Sequence, residues 1–275
     1  MSKDIQQQRQ FKILVIGDSC TDLYQFGVCD RISSESPVPI FKISNEDSKP
    51  GMAGNVAKNL EGLGHQITLV TNKEYIEKRR VIDERFFHHM IRIDIEPRVS
   101  RFKMNMIPEE KIMSSYDAFV ISDYCKGFLD FKTCNKLVKT LSKFKKPIFV
   151  DTKKTNLNCF KGCFIKINEI EHRLVESKPA DCTLIITLGK RGAKINDKIF
   201  KSEKSELDNL VEKSNYASLK SINACGAGDT FLSGLIDKYL QTSGDLQESV
   251  VFANKCAAIA INNFGTYSIK RSDIL

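Results

Sequence analysis

The stretch FKILVIGD, residues 11–18, is a continuous apolar run closed by Gly17 and Asp18. That form belongs to a β-strand buried on both faces, not to a half-exposed strand with alternating polarity. Four similar runs follow: DAFVISD (117–123), KPIFVD (146–151), CFIKIN (163–168) and TLIITLG (183–189), separated by helix-like or loop sequence. The alternation predicts a parallel sheet with helices on both faces. Helices are expected at 53–63, 132–144, 228–240 and 247–263, the last apolar at nearly every position and so buried on most sides. Asp18, Asp123, Asp151 and Asn168 close four of the runs. Ligands of open parallel sheets bind beyond the strands' carboxyl ends, so these four are expected to line a cleft. Taken singly, each could equally be a helix N-cap or a turn former.

Between the first run and the second the texture changes. SPVPIFKI (36–43) and KRRVIDERFFHHMIRIDIEP (78–97) are rich in β-branched and aromatic residues, with a turn near Asp83 and Glu84 and with Pro37 and Pro39 suited to an edge. A small antiparallel flap, built from about 36–44 and 78–97 and lying over the cleft as a lid, is the expectation.

Bulk properties narrow the function classes. A chain of 275 residues, 41% hydrophobic and 28% charged, is an ordinary packed α/β protein. Its formal charge of +8 is scattered, the densest groups being Lys78, Arg79 and Arg80, then Lys143, Lys145 and Lys146. Clustered basic residues with interleaved aromatics are missing, so phosphorylated small molecules are expected and nucleic acid is not. The nine cysteines are odd in number, follow no secretory pattern and often sit in apolar runs, which reads as reduced thiols in a cytoplasmic protein. Cys159 and Cys163 lack a second pair at zinc spacing, so no structural metal is expected. No 18-residue apolar stretch suggests a membrane span, and residues 1–10 read as a frayed N-terminus.

NACGAGDTFLSG (223–234) carries the chemistry. Glycine beside a helix is justified where φ is positive or where something approaches the backbone closely. A helix starting near Gly228 would aim free N–H groups at an anion, and Asp229 in its first turn could take a proton from an attacking hydroxyl. The plain alternative is a helix start with an aspartate favouring the dipole.

GAGDTFLSGL resembles the C-terminal motif of the ribokinase-like (PfkB) sugar kinases. The resemblance implies a three-layer α/β/α sandwich with a mostly parallel central sheet and a small β flap, spanning 11–275 as one domain. It implies an anion hole at Gly226, Ala227 and Gly228, and Asp229 as catalytic base. Where the family has Asp-Thr, this chain has Asn223, Ala224 and Cys225. KPGMAGNVAKNLEGLG (49–64) is similar to the family's sugar-binding segment, which implies that Gly51 permits close approach and that Asn55 bonds sugar hydroxyls. Asp22 matches the carboxylate that grips the substrate. TLGKRGA (187–193) looks like the ATP loop, implying Thr187, Gly189 and Gly192 near the nucleotide, with Asn254 and Gly265 on the adenine side. Asn168 and Glu171 match the family's N-x-x-E motif, implying a role around ATP and Mg²⁺, the metal held through water.

Blocks such as GDSCTDLYQFGVCDRISSESPVPIFKI, IRIDIEP, ISDYCKGFL and VDTKKTNLNCFKG are similar, in family order, to the branch that phosphorylates a heptose 7-phosphate. That implies a second anion to be held away from Asp229, for which Arg80, Arg92, Lys126 and Lys153 are candidates, and hydroxyl partners in Asp94 and Asp123. The stretch is shorter than in those relatives, with only KEYIE between ITLVTN and KRRVIDER, and a kinase part without a nucleotidyltransferase domain is the expectation. A different sugar or nucleoside kinase, or a non-catalytic binder of sugar phosphate or nucleotide, are the alternatives. A homodimer through the flap, covering Phe41, Phe86 and Phe87, is also expected.

Overall fold

The computed structural model describes residues 9–202 and 225–274. The opening run forms β1 (Lys12–Gly17), which pairs in parallel with β4 (Gln66–Thr71) on one side and β7 (Ala118–Asp123) on the other. Beyond β7 the parallel order continues through β8 (Ile148–Thr152), β9 (Phe164–Asn168) and β10 (Thr183–Thr187). β11 (Ala193–Ile195) and β12 (Lys198–Phe200) finish that edge as an antiparallel hairpin. The sheet order is therefore β12-β11-β10-β9-β8-β7-β1-β4. Because β1 has its successors on both sides, the strand order reverses beside it, and its carboxyl end opens onto the crevice such reversals create.

The strands' period of two divides the core. Leu14, Ile16, Phe119, Ile121 and Val150 pack with Leu137 and Leu141 of α3 (Phe131–Leu141). Ile13, Val15, Val120 and Phe149 pack on the opposite face with Val56 and Leu60 of α1 (Ala53–Gly62), Leu232 and Leu235 of α5 (Ala227–Gln241), and Val250 and Ala253 of α6 (Leu246–Ile261). Two short helices, α2 (Glu110–Met113) and α4 (Glu169–Arg173), lie in the connections. The four helices expected from sequence are present. α6, however, buries one stripe, not most of its surface, and leaves Val251 55% exposed. No helix among the described residues is long and apolar enough to cross a membrane.

Gly17 shows why β1 ends as it does. A Cβ there would lie 1.9 Å from the Ser122 carbonyl oxygen, so only glycine lets β1 and β7 meet at their tips. The chain then turns through Asp18 directly into a second sheet of order β3-β2-β5-β6, made of β2 (Ser19–Ile32), β3 (Pro39–Met52), β5 (Glu77–Asp83) and β6 (His88–Ile95). This corrects the expected flap in two ways. A fourteen-residue strand, β2, lies at its centre, and β2 and β5 run parallel, so the sheet is mixed. β2 escapes a reading by hydrophobic pattern because its inward positions include buried Asp22. Residues 1–8, and Asn223 and Ala224 of the glycine-rich stretch, lie outside the described residues.

Register fixes which residues of the lid face the main sheet. Asp22 lies opposite Lys78 and Tyr24 opposite Arg80, and these are opposite Asp94 and Arg92 of β6. Side chains directly opposite one another share a face. The other face of β6 carries Ile91, Ile93 and Ile95, all exposed. Phe86 and Phe87 at the β5–β6 turn are exposed as well, whereas Phe41 is half-buried, its ring against the lid's own backbone at Gly27. The lid is fastened by Phe264, against which Tyr24, Phe26 and Phe87 pack with ring centroids 5.2–6.3 Å away.

Candidate active site

Gly226 caps the N-terminus of α5 at φ +77°, and a Cβ there would come 2.8 Å from Asn55 Nδ2. No side chain among the described residues caps this helix, so its first-turn N–H groups form an anion-binding end. A Cβ at Gly228 would lie 2.9 Å from the ammonium of Lys166. The close approach that the glycines announce is thus made by Asn55 on one side and a buried lysine on the other.

Asp229, in the first turn of α5, is 3% exposed. Its Oδ1 accepts from the Tyr124 hydroxyl at 2.7 Å and its Oδ2 from Asn55 Nδ2 at 2.9 Å. Burial, reinforced by the nearby Asp151 carboxylate, pushes its carboxyl up to about 6, while Asn55, Lys166 and Tyr124 pull the other way. Lys166, on β9, donates to Asp151 Oδ2 at 2.7 Å. Burial disfavours the charged ammonium, but Asp151 first, and Asp229 and Glu171 after it, more than offset this and hold it above its ordinary value. The other Asp151 oxygen is buried with no hydrogen bond from the described residues. Two carboxylates, one ammonium and a helix N-terminus therefore meet beyond the tips of β8 and β9.

The lid supplies a second polar cluster. Arg80 donates to Asp22 Oδ1 at 2.6 Å, Thr266 donates to Asp22 Oδ2 at 2.9 Å, and the guanidinium stacks over Tyr24, 5.2 Å from the ring centre. Arg80 also reaches Cys225 Sγ at 2.9 Å, tying the lid to the residue before Gly226. Arg80, expected as a candidate for a distant phosphate, is engaged here by Asp22, Cys225 and Tyr24. Gly51 is likewise explained from within the chain, since a Cβ there would meet Asp22 Oδ2 and Cys20 Sγ, each at 2.6 Å.

Other expected residues have partners that redirect them. Asn55, fully buried, donates to Asp229 and accepts from Asn59 Nδ2, so its amide is oriented toward the carboxylate. Asp123 is fully buried, accepting from Thr152 Oγ1 and the Cys125 N–H and pairing with Lys154 at 2.9 Å, a hub of the strand tips with no oxygen exposed to a hydroxyl. Asp94 pairs with Arg92 on the lid's inner face at 2.7 Å. Lys126 pairs with Glu96, and Lys153 with Glu171.

Among the residues expected near a nucleotide, Gly189 adopts φ +59° with open space where a Cβ would lie, in the turn that follows Thr187. Gly192 is needed for packing, because a Cβ there would lie 2.0 Å from the Phe200 carbonyl oxygen. Asn254 donates to that same carbonyl at 2.9 Å, and Gly265 makes room for the Tyr24 ring. The last two contacts bind α6 and its following loop to β12 and to the lid. Asn168 and Glu171 form a reciprocal cap on α4, Asn168 Oδ1 accepting from the Glu171 N–H and Glu171 Oε2 from the Asn168 N–H, each at 2.8 Å. The described residues hold no cluster of three His, Cys, Asp or Glu side chains suited to a metal. The free oxygen of Asp151, with Glu171 beyond Lys166, fits an ion that keeps its waters and takes the rest of its shell from phosphates.

Sequence reading passed over Tyr124 and Lys166. A lysine inside the apolar run CFIKIN was the available signal, since a charge in a buried strand must be paired. Tyr124 gave no such signal; only the fold brings it to Asp229.

A three-layer sandwich with a lid, and a helix-start carboxylate at the strand tips, give the chain a ribokinase-like α/β fold. Residues 160–272 match the pfkB family carbohydrate kinase model. Among curated relatives, the bifunctional protein HldE of Hydrogenovibrio crunogenus is 30% identical over 301 aligned positions, which cover 96% of this chain and 62% of that protein. HldE of Sulfurimonas denitrificans is 27% identical, covering 96% and 63%. The chain thus spans less than two thirds of the length of these relatives. Phosphofructokinase-2 from Escherichia coli superposes with a TM-score of 0.67 at 15% identity, covering 96% of this chain and 97% of that one. Ribokinase of Arabidopsis thaliana, complexed with ribose and ATP, gives 0.66 at 12% identity, covering 97% and 98%.

Proposed function

We propose that this chain is a carbohydrate kinase that transfers the γ-phosphoryl group of ATP to a hydroxyl of a sugar phosphate, the anomeric hydroxyl of a heptose 7-phosphate being the acceptor its sequence blocks favour. The observation that carries the reading is Asp229, a buried carboxylate held near 6 in the first turn of α5. At neutral pH it is ionised yet basic enough to accept a proton. Each of its oxygens keeps a second lone pair after the bonds from Tyr124 and Asn55. As the acceptor oxygen bonds to the γ-phosphorus, its proton passes to Asp229 and the bond to the departing ADP breaks. The amides of Ala227 and Gly228 and the ammonium of Lys166 lie where the transferred group's negative charge would be held. Mg²⁺, when bound with ATP, would neutralise phosphate charge, with Glu171 and Asp151 oriented to hold its waters.

The lid's outer row of Ile91, Ile93 and Ile95 suits pairing with a second copy of the chain. Sedimentation of the wild type against Ile93→Asp tests this, and a monomeric wild type would exclude it.

The reading of the reaction is tested by ATP consumption with Mg²⁺ and a panel of sugars and sugar phosphates. Strongest turnover on a heptose 7-phosphate is expected. Nucleotide binding without turnover on any acceptor would favour the non-catalytic alternative, and turnover confined to ribose, fructose or adenosine would reassign the substrate.

A further inference from the structure

Asp18 ends the first strand fully buried, and its carboxylate is wrapped by one loop: the N–H groups of Tyr124, Lys126 and Phe128 all donate to it, at 2.9 to 3.3 Å. Cys125, between the first two, sits at φ +56°, the left-handed turn that lets alternate amides converge on one carboxylate. The consequence is that Tyr124 has little backbone freedom. Its phenol is aimed across the strand tips at Asp229, with the lysine ammonium groups of Lys78 and Lys153 5.5 and 5.2 Å from its ring centre. Burial and the facing Asp229 carboxylate keep the phenol protonated far above its ordinary range, so it can only be the donor in this pair.

We propose that Tyr124 is a positioning residue for the phosphoryl-transfer base: fixed by the loop around Asp18, its hydroxyl orients the Asp229 carboxylate and keeps it ionised at neutral pH. This rests on the reading of Asp229 as the base. The groups that face Asp229 come from five elements: Asn55 on α1, Tyr124 on the loop after β7, Asp151 on β8, Lys166 on β9 and Cys20 on β2. Cys20, its thiol pushed up to about 12 chiefly by burial, is neutral. Asp151 opposes ionisation, Lys166 favours it but is bonded to Asp151, and Asn55 bonds one oxygen only. Tyr124 is the donor to the other oxygen. Without it one oxygen of the carboxyl, buried beside Asp151, would lose its hydrogen bond, and protonation would extend to higher pH.

The experiment is the pH dependence of kcat/KM for wild type and Tyr124→Phe, together with infrared titration of the Asp229 carboxyl in ¹³C-aspartate-labelled protein, Asp229→Asn serving as the blank. Loss of a hydrogen bond to an ionised group predicts that both the acid limb and the carboxyl titration move up by about one to two pH units, with the plateau regained at higher pH. Installing 3-fluorotyrosine at position 124, a stronger donor of nearly the same shape, should move both downward. A uniform loss across pH, or a carboxyl titration that stays put in both variants, would overturn the proposal. Absence of wild-type turnover on every acceptor would sink the kinase reading instead, while the carboxyl titration, which needs no turnover, would still decide this one.

Discussion

Replacing Asp229 by Asn should make the protein more stable and less active, with a stability gain that appears only above acid pH. The folded carboxyl titrates near 6 against an ordinary value of 3.8. Between those values the folded protein holds a proton the unfolded chain has released. The stabilisation by the neutral carboxyl is therefore complete below about 3.8 and is lost as pH rises through about 6. Asparagine is neutral throughout, so its advantage over wild type should be near zero at pH 4 and reach about 3 kcal/mol above pH 7. The geometry permits the exchange. Asn55 is held by Asn59 as a donor toward position 229, so the new side chain would turn its oxygen to Asn55 and its amide to the Tyr124 oxygen, which can accept. Thermal unfolding of both proteins at pH 4.5 and 8 reads the difference, on the order of 5–10 °C at the higher pH for a chain of this size. Turnover should fall by roughly 10²- to 10⁴-fold, the usual contribution of a general base. A variant less stable at pH 8, or equally stabilised at both pH values, would refute a charged, desolvated Asp229.

In the wild type, kcat/KM should fall on the acid side with a midpoint near 6, measured with ATP held saturating. Lys166→Met should lower kcat by about 10²- to 10³-fold if the ammonium faces the transferred group, and urea titration should show a loss of about 3–5 kcal/mol because Asp151 is left buried and unpaired. Gly226→Ala forces φ +77° on a residue with a Cβ 2.8 Å from Asn55 Nδ2, and should cost about 1–3 kcal/mol with a matching loss of activity. Gly228→Ala should be milder, because its nearest neighbour is the movable end of Lys166.

The contrast between Asp229 and Asn55 shows how far motif reading reaches. Asp229 is marked by two glycines in sequence, and a helix-start carboxylate among strand tips is what the fold delivers. Asn55 stands in an equally visible glycine-rich stretch, yet its amide is turned to Asp229, because Asn59 one helical turn on holds its oxygen. Glycines were similarly ambiguous. At Gly51, Gly192 and Gly265 the close neighbour is the chain itself, and at Gly189 it is open space. Sequence reports that a Cβ is not tolerated; it is silent on what takes its place.

The sequence alone determined the layers: continuous apolar runs must be buried on both faces, and the helices between them supply the cover. It also set the electrostatic character of the candidate catalytic corner, through glycines that expose helix-end amides and an aspartate in the first turn. Only tertiary structure decided the rest. The mixed lid, with β2 parallel to β5, depends on pairing between segments more than 50 residues apart, and no local pattern encodes which strand lies beside which. Tyr124, 105 positions from Asp229, meets it because three amides close on Asp18. A carboxylate's proton affinity is set by whatever surrounds it in space, and those surroundings exist only once the chain has folded.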